Sequence, residues 1–176
     1  MPTYIAFLRA VNVGKRMFAK AAIVQACEDV GCTDVETYIN SGNVRVTTPL
    51  RSRAKVEAAL EKAFRDAAGF EVPTIVLTPK ELSQVAADAD EVAAGHDGLR
   101  YVSLLKDVPT AAAAGKLHAA GQEGERAEVR GRAVHLLLGE DYHSAKLDNA
   151  VVEKHLGVAT NRNVKVVRTL AEKWGA

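Results

Sequence analysis

Cysteine is scarce in this sequence, which contains only Cys27 and Cys32 among 176 residues. Two cysteines five positions apart do not share a helical face, and no Cys-x-x-Cys pair or His–Cys cluster lies near them. The scarcity argues against a disulfide framework and predicts two partly buried thiols in a reducing cytoplasm. The five histidines also lack a metal-ligand spacing such as His-x-x-x-His. We therefore expect no metal site and no cofactor.

An excess of charge of one sign is also missing. The chain has 23 Lys and Arg against 22 Asp and Glu, a net charge of +1. A near-neutral balance argues against a nucleic-acid partner, because gripping a polyanion requires a strong positive field. No stretch approaches the roughly 18 unbroken apolar residues of a membrane span, and Met1–Ile5 carries no basic leader. These absences predict a cytoplasmic protein without a membrane partner, and they leave its oligomeric state open.

The pattern of apolar residues in the first half predicts alternating strands and helices. The composition, 48% hydrophobic and 26% charged, is ordinary for a compact protein of one large or two small domains. Glycines stand where left-handed helix caps belong, at Gly31 and Gly69. The predicted order is β-α-β-β-α-β, that of the split ferredoxin-like unit, with strands at 4–8, 35–39, 44–47 and 72–77 and helices at 20–30 and about 56–67.

The second half repeats this pattern. Residues 100–108 echo residues 3–11 at an offset of 97, since a Tyr, a β-branched residue, a Leu, a basic residue and a Val recur in both. Such an echo indicates a tandem duplication. We therefore predict an α+β fold of two ferredoxin-like halves whose mostly antiparallel sheets are covered by helices. The predicted parts are a first half at 1–78, a connecting helix (80–87) and acidic loop (88–98) within 79–99, and a second half at 100–176 that ends in helices at 144–155 and 162–174.

Three segments resemble a known family. Residues 4–14 (YIAFLRAVNVG), 37–44 (TYINSGNV) and 159–163 (ATNRN) resemble the signature of the bacterial Domain of Unknown Function 1697 family. Ala10 stands where that family usually has Gly, and Val164 stands where a Trp is usual. The resemblance implies a fold of two related α+β halves. It implies no activity, because the family has no settled one.

The loop after the first strand is the first candidate for chemistry. A phosphate-binding loop of the nucleotide-hydrolysing type needs Gly five residues before its Gly-Lys pair and Ser or Thr directly after it. Here Arg9 and Arg16 occupy those positions around Gly14 and Lys15, so that activity is excluded. Backbone N–H groups at a helix start would still suit an anion with Lys15, Arg16 and Lys20 nearby. The alternative is a surface loop with solvated basic side chains.

The second candidate is the turn at 40–43, where polar side chains and Gly42 could form a concave nest of backbone donors. Turn chemistry alone also explains these residues. In the strand order 4-1-3-2, strands 1 and 3 are antiparallel neighbours. We expect the end of strand 1 to face the end of strand 3 rather than its start at Asn43, so this order does not by itself bring the two loops together.

The third candidate is the segment 160–163. We predict that Thr160 caps the last helix and that Arg162, near the positive end of that helix, binds an anion or a carboxylate. The alternative is a capped amphipathic helix with Arg162 in a structural ion pair. A further alternative is that Asn43 and Arg162 lock the two halves together through structural hydrogen bonds.

These candidates predict a binding module more strongly than an enzyme. Guanidinium groups, short amides and glycine backbone suit a phosphate or a carboxylate, and the three motifs contain no His, Asp or Glu to act as a general base. One catalytic alternative stays open, a hydrolase of acylphosphatase type. Acylphosphatases use an Arg in the first loop and an Asn near the hairpin, and Arg16 and Asn43 are the loose counterparts of these two residues here. RNA binding is a second alternative, disfavoured because strand 44–47 offers no aromatic residue to stack on bases. The residues expected to bind a small anionic ligand are Arg9, Asn12, Gly14, Ser41, Gly42, Asn43, Arg162 and Asn163.

Overall fold

The computed structural model describes residues 1–39 and 42–176, which divide into two compact units. The first unit comprises Met1–Leu82 and Trp174–Ala176. The order of elements is β-α-β-β-α-β: β1 (Thr3–Leu8), α1 (Lys20–Asp29), β2 (Thr33–Tyr38), β3 (Asn43–Thr47), α2 (Arg53–Ala68) and β4 (Thr74–Leu77), followed by the start of α3 (Pro79–Val92). The sheet has the order β2-β3-β1-β4, and all three strand pairs are antiparallel.

Both helices α1 and α2 pack their apolar stripes against the sheet of the first unit. The stripe of α2 buries Leu60 and Phe64 in one cluster with Ile23 of α1 and Val44 of β3. The helix ends as its sequence predicts, because Gly69 adopts a left-handed conformation (φ +82°) and its N–H bonds the Arg65 carbonyl.

The second unit, Ser83–Lys173, has the same order of elements. Its elements are β5 (Arg100–Leu105), α4 (Ala111–Ala119), β6 (Arg126–Arg130), β7 (Ala133–Leu137), a short 3₁₀ helix (Tyr142–Ser144), α5 (Asn149–Leu156), β8 (Ala159–Asn163) and α6 (Val164–Trp174), whose last residue is assigned to the first unit. The antiparallel sheet has the order β6-β7-β5-β8, so β5 takes the place that β1 has in the first unit. Both β1 and β5 are six residues long, and β5 begins 97 residues after β1, the offset at which the sequence repeats.

Several boundaries differ from the sequence prediction; the helix predicted at 144–155, for example, begins only at Asn149. Helix α3 continues to Val92 through part of the predicted acidic loop, because Ala89 and Val92 are buried. Segment 159–163 is a strand, not a capped helix start, and it pairs in register with β5 from Leu105↔Ala159 to Tyr101↔Asn163. Its polar sequence shows no alternation of apolar residues, so only the pairing partner reveals the strand.

Polar side chains of α2 and α5 bind the backbone of the edge strands β4 and β8, respectively. In the first unit the carboxylates of Glu57 and Glu61 accept the N–H groups of Val76 (3.0 Å) and Thr74 (3.1 Å). In the second unit, the backbone of Ala159 donates to Glu153 (3.3 Å) and its carbonyl accepts from the amide of Asn149. An edge strand whose polar groups are taken this way is a poor template for further pairing.

No helix in the described part of the chain has the length and apolar character to cross a membrane.

Candidate functional site

The end of β1 meets the start of β3. Phe7 pairs with Asn43, and the N–H of Leu8 donates to the carbonyl of Gly42 at 2.8 Å. The expectation that the end of strand 1 faces the end of strand 3 is therefore wrong. Antiparallel neighbours place the end of one strand beside the start of the other, so the strand order itself brings the loop after β1 to the turn before β3.

A small crevice forms where these segments meet. Its volume is about 10 Å³, which is about the space of one water molecule. Of the predicted site residues that the structure describes, Asn12, Gly42 and Asn43 line it. Sequence reasoning did not select Thr37, although it opens the second of the three motifs. Among the residues that the structure describes, the lining consists of Asn12, Lys20, Ile23, Thr37, Ile39, Gly42, Asn43 and Val44.

The amino end of α1 borders this crevice. Lys20 is the first residue of the helix and lines the crevice. Across residues 1–39 and 42–176, no side chain caps this helix at Ala19, and its first turn contains no acidic residue. The unpaired N–H groups of a helix start carry partial positive charge, and Lys20 adds a full charge. This side of the crevice therefore carries positive charge.

Asn12 holds the loop that forms one wall. Its N–H donates to the Arg16 carbonyl (2.6 Å) and its Oδ1 accepts from the N–H of Phe18 (2.9 Å). Asn12 and Ala10 both have positive φ, +56° and +57°. An asparagine tolerates this conformation, but it costs an alanine about 1–2 kcal/mol. The Gly usual at position 10 in the resembling family would avoid this cost. Gly14 (φ +56°) shapes the turn closed by Arg16 N–H and Val13 O and is not among the lining residues.

The two arginines of this loop are held by backbone contacts. The Arg9 N–H donates to the carbonyl of Pro73 at 2.9 Å. Arg16 donates from Nε to the Ala10 carbonyl (2.8 Å) and from a terminal nitrogen to the Glu71 carbonyl, and its guanidinium lies 4.3 Å from the centre of the Phe70 ring. Arg16 thus ties the loop to the segment before β4. The acylphosphatase-type alternative requires the Arg16 guanidinium to bind a phosphate, but these contacts already engage that group.

Asn43 is completely buried, and its Nδ2 donates to the Tyr38 carbonyl at 3.1 Å. It therefore both closes the end of the β2–β3 hairpin and lines the crevice. Ser41, also predicted as a site residue, and Asn40 beside it lie outside the described residues.

Arg162 and Asn163 belong to the second unit and are held by contacts within it. The buried guanidinium of Arg162 donates to Thr160 Oγ1 and to the Asn161 carbonyl, both at 2.8 Å, and burial lowers the pKa of Arg162 to about 10. The predicted cap at Thr160 is wrong. Asn163 Oδ1 accepts the N–H of Lys165 (2.9 Å) at the start of α6, because the preceding residues are committed to β8.

A larger crevice in the second unit, about 220 Å³, contains His96, Glu125 and Arg126. His96 Nε2 lies 2.8 Å from the Leu138 carbonyl, and Arg126 donates to the Val92 carbonyl. Glu125 accepts the N–H groups of Lys146 and Leu147. These contacts hold loops of the second unit in place, and they give each of the three polar side chains a backbone partner.

His135 is buried on β7. Neither ring nitrogen has a hydrogen-bond partner among the described residues. Burial lowers the pKa of His135 below its usual value, while the charges of Asp88 and Glu128 act to raise it and Arg130 acts to lower it. Burial in the second unit therefore favours the neutral form of this imidazole.

We expect His135→Leu to raise the free energy of unfolding by about 1 kcal/mol at pH 7, because it removes two buried polar atoms without partners. The folded pKa lies below the unfolded value of about 6.5, so the unfolded state binds more protons. With respect to His135, the free energy of unfolding of the wild type is constant above that pH and falls as the pH drops below it. Urea denaturation from pH 4.5 to 7.5 measures this slope, which should be shallower in His135→Leu. Equal slopes in the wild type, His135→Leu and the exposed control His143→Gln would contradict the assignment.

The fold and the crevice define a class of protein: a tandem α+β protein with a small polar crevice, edged by a helix amino end, in its first unit. The family model described as "Protein of unknown function (DUF1697)" matches residues 1–135, and the chain belongs to this family. The match includes the first two motifs and ends before segment 159–163. The resemblance stated from the sequence is thereby confirmed.

The fold recurs in a solved structure. A conserved bacterial protein, SP0830 from Streptococcus pneumoniae, is similar to this chain with a TM-score of 0.75 at 19% identity, covering 99% of this chain and 98% of its own. This similarity shows a shared fold. No curated protein matches the sequence.

Proposed function

We propose that the protein is a binding module whose first unit takes the anionic end of a ligand, a carboxylate or a phosphate, at the crevice beside Asn12, Lys20 and Asn43. The observation that carries the proposal is the uncapped start of α1, which opens with Lys20 on the same crevice as two asparagines of separate motifs. A charged donor and short amides suit an oxyanion.

The lining also favours binding over catalysis. Of the described residues that form the crevice, none is His, Asp, Glu or Cys, so the crevice offers no general base and no acidic group to repel an anion. A volume of about 10 Å³ accommodates one oxygen of the ligand, and the rest of the ligand lies outside.

Lys20→Gln tests this proposal. We expect wild-type protein to bind inorganic phosphate or acetate weakly, and a ligand present at ten times its Kd stabilises the folded state by about 1.4 kcal/mol. Lys20→Gln should weaken binding at least tenfold, because it removes the full charge beside the crevice. Titration calorimetry and the shift of Tm with ligand concentration measure both effects.

Lys15→Gln is the matched control, since Lys15 is an exposed basic residue of the same loop outside the crevice lining. It should leave the Kd within twofold of wild type. An equal loss of affinity in the two variants would indicate nonspecific attraction of the anion by surface charge and contradict a site at the crevice. Undetectable binding of both anions would also overturn the proposal.

A further inference from the structure

Cys27 and Cys32 lie on either side of the end of α1. They are five positions apart and would not share a face of one continuous helix, but α1 ends at Asp29, between them. The chain then reverses at Gly31, which has φ +89°. The N–H of Cys32 donates to the Cys27 carbonyl at 3.1 Å. The N–H of Gly31 donates to the Glu28 carbonyl at 3.0 Å. These bonds form a Schellman motif, in which the side chains of the outer two residues are frequently in contact.

The backbone separation of the two cysteines suits a disulfide. Cα lies about 2.4 Å from the carbonyl oxygen of its residue and about 1.5 Å from the nitrogen. The 3.1 Å hydrogen bond therefore keeps the two Cα atoms within about 7 Å of each other. Disulfides usually join Cα atoms that are about 4.4–6.8 Å apart. Both side chains belong to one apolar cluster, which also contains Ile23 and Ala26 of α1, so both point into the same part of the core.

The folded first unit shields these thiols from reaction. Burial, together with the charges of Cys32 and Glu28, raises the pKa of Cys27 to about 12. Burial also raises the pKa of Cys32, although a hydrogen bond with Thr48 acts to lower it. Because the thiolate is the reacting form, exchange requires local opening at the end of α1. Cys32 is 5% exposed and Cys27 is 0% exposed, so Cys32 reacts first.

We propose that Cys27 and Cys32 are a reversible redox pair, in which a small-molecule disulfide oxidises the two thiols to one intramolecular disulfide. The Cys32 thiolate attacks one sulfur of the oxidant, which forms a mixed disulfide and releases a thiolate. The Cys27 thiolate then attacks Cys32 Sγ, which forms the bond between the two cysteines and releases the second thiolate. Two electrons pass from the cysteines to the oxidant, and the two protons that the cysteines lose are taken up by the released thiolates.

The new bond clamps the carboxyl end of α1 to the residue that precedes β2. The pair lies at the opposite end of α1 from Lys20 and the crevice, and its oxidation requires no anionic ligand. This inference therefore goes beyond the proposed function, and each of the two can fail without the other.

Equilibration in glutathione redox buffers tests the pair in the whole chain. Wild-type protein is held at a series of ratios of reduced to oxidised glutathione, quenched with acid, alkylated and digested with trypsin. No Lys or Arg lies between Lys20 and Arg45, so one peptide, residues 21–45, carries both cysteines. Mass spectrometry identifies its disulfide form, which carries no alkyl group and is two hydrogens lighter than the dithiol.

We expect the equilibrium constant for this disulfide to be at least tenfold larger in the folded protein than in concentrated urea, because the Schellman motif holds the two cysteines together. By linkage, the free energy of unfolding of the oxidised protein should then exceed that of the reduced protein by the same factor, about 1.4 kcal/mol. The redox pair is refuted if the wild type stays a dithiol, if it accumulates only mixed disulfides with glutathione, or if folding does not favour the bond.

Two single variants assign the order of the steps. Cys27→Ser and Cys32→Ser should both stop at the mixed disulfide with glutathione, because each lacks the second thiol. Cys27→Ser should form it at least threefold faster, since it retains the less shielded Cys32. Equal or reversed rates would contradict the assignment of Cys32 as the attacking thiol.

Discussion

Gly42→Ala is expected to lower the free energy of unfolding of the first unit by about 3 kcal/mol. Gly42 has φ +80°, and a Cβ added there would lie 2.7 Å from Leu8 Cβ and 3.0 Å from Val11 Cγ2. The conformation costs an alanine about 1–2 kcal/mol, and overpacking against these buried neighbours costs about 1–3 kcal/mol more. Trp174, the single tryptophan, donates to Glu36 within the same unit, so its fluorescence during urea denaturation measures the change.

Gly69→Ala separates the two contributions to this loss. Gly69 has nearly the same φ, +82°, but no described atom lies within 4 Å of the position of an added Cβ. We expect Gly69→Ala to cost only about 1–2 kcal/mol. If the two variants lose equal stability, the close contact of Gly42 with Leu8 and Val11 contributes nothing and the tight junction of β1 and β3 is refuted. Gly42→Ala should also weaken anion binding, because Gly42 lines the crevice, whereas Gly69→Ala should not.

Gly98→Ala is expected to have a comparably large effect on the second unit, about 3 kcal/mol. A Cβ at Gly98 would lie 2.0 Å from the Leu138 carbonyl oxygen and 3.0 Å from that of Gly139. Since both are backbone atoms, the strand ends must separate. Separation breaks the hydrogen bonds from Leu99 N–H to Gly139 O and from Leu138 N–H to Leu99 O, so their loss adds to the overpacking cost.

Hydrogen exchange at the Leu99 and Leu138 amides localises this effect. Both amides should exchange faster in Gly98→Ala, as local opening becomes easier. Gly139→Ala is the matched control, because no described atom lies within 4 Å of its added Cβ. If both amides of Gly98→Ala exchange as slowly as in the wild type and the free energy of unfolding is unchanged, the two chain segments do not approach as closely as described.

Local sequence patterns predict the elements that have their own signals. The apolar run before Arg9 predicts β1, and the helical stripe with its Gly69 cap predicts α2. The repeat at an offset of 97 predicts that β5 occupies the place of β1 in a second, similar unit. These signals work because the period of apolar residues and the conformational freedom of glycine act within a few residues of chain.

The candidate site follows the sequence only in part. Motif residues Asn12, Gly42 and Asn43 do line one crevice, whereas Arg162 and Asn163, from the third motif, are held by contacts of the second unit. Thr37 carries no chemical signature, so only its position on β2 reveals it. Lys20 stands out among the other basic residues of its loop only once α1 is seen to begin beside the crevice.

By itself, the sequence determined the class of fold, the order of elements in the first half and the family, because each depends on local patterns or on the residues themselves. Only the tertiary structure decided that β8 is a strand, that His135 is buried and that the loop after β1 meets the start of β3. The physical reason is common to all three. Each depends on which strand pairs with which, and pairing partners lie tens of residues apart, where no local preference for helix or strand acts.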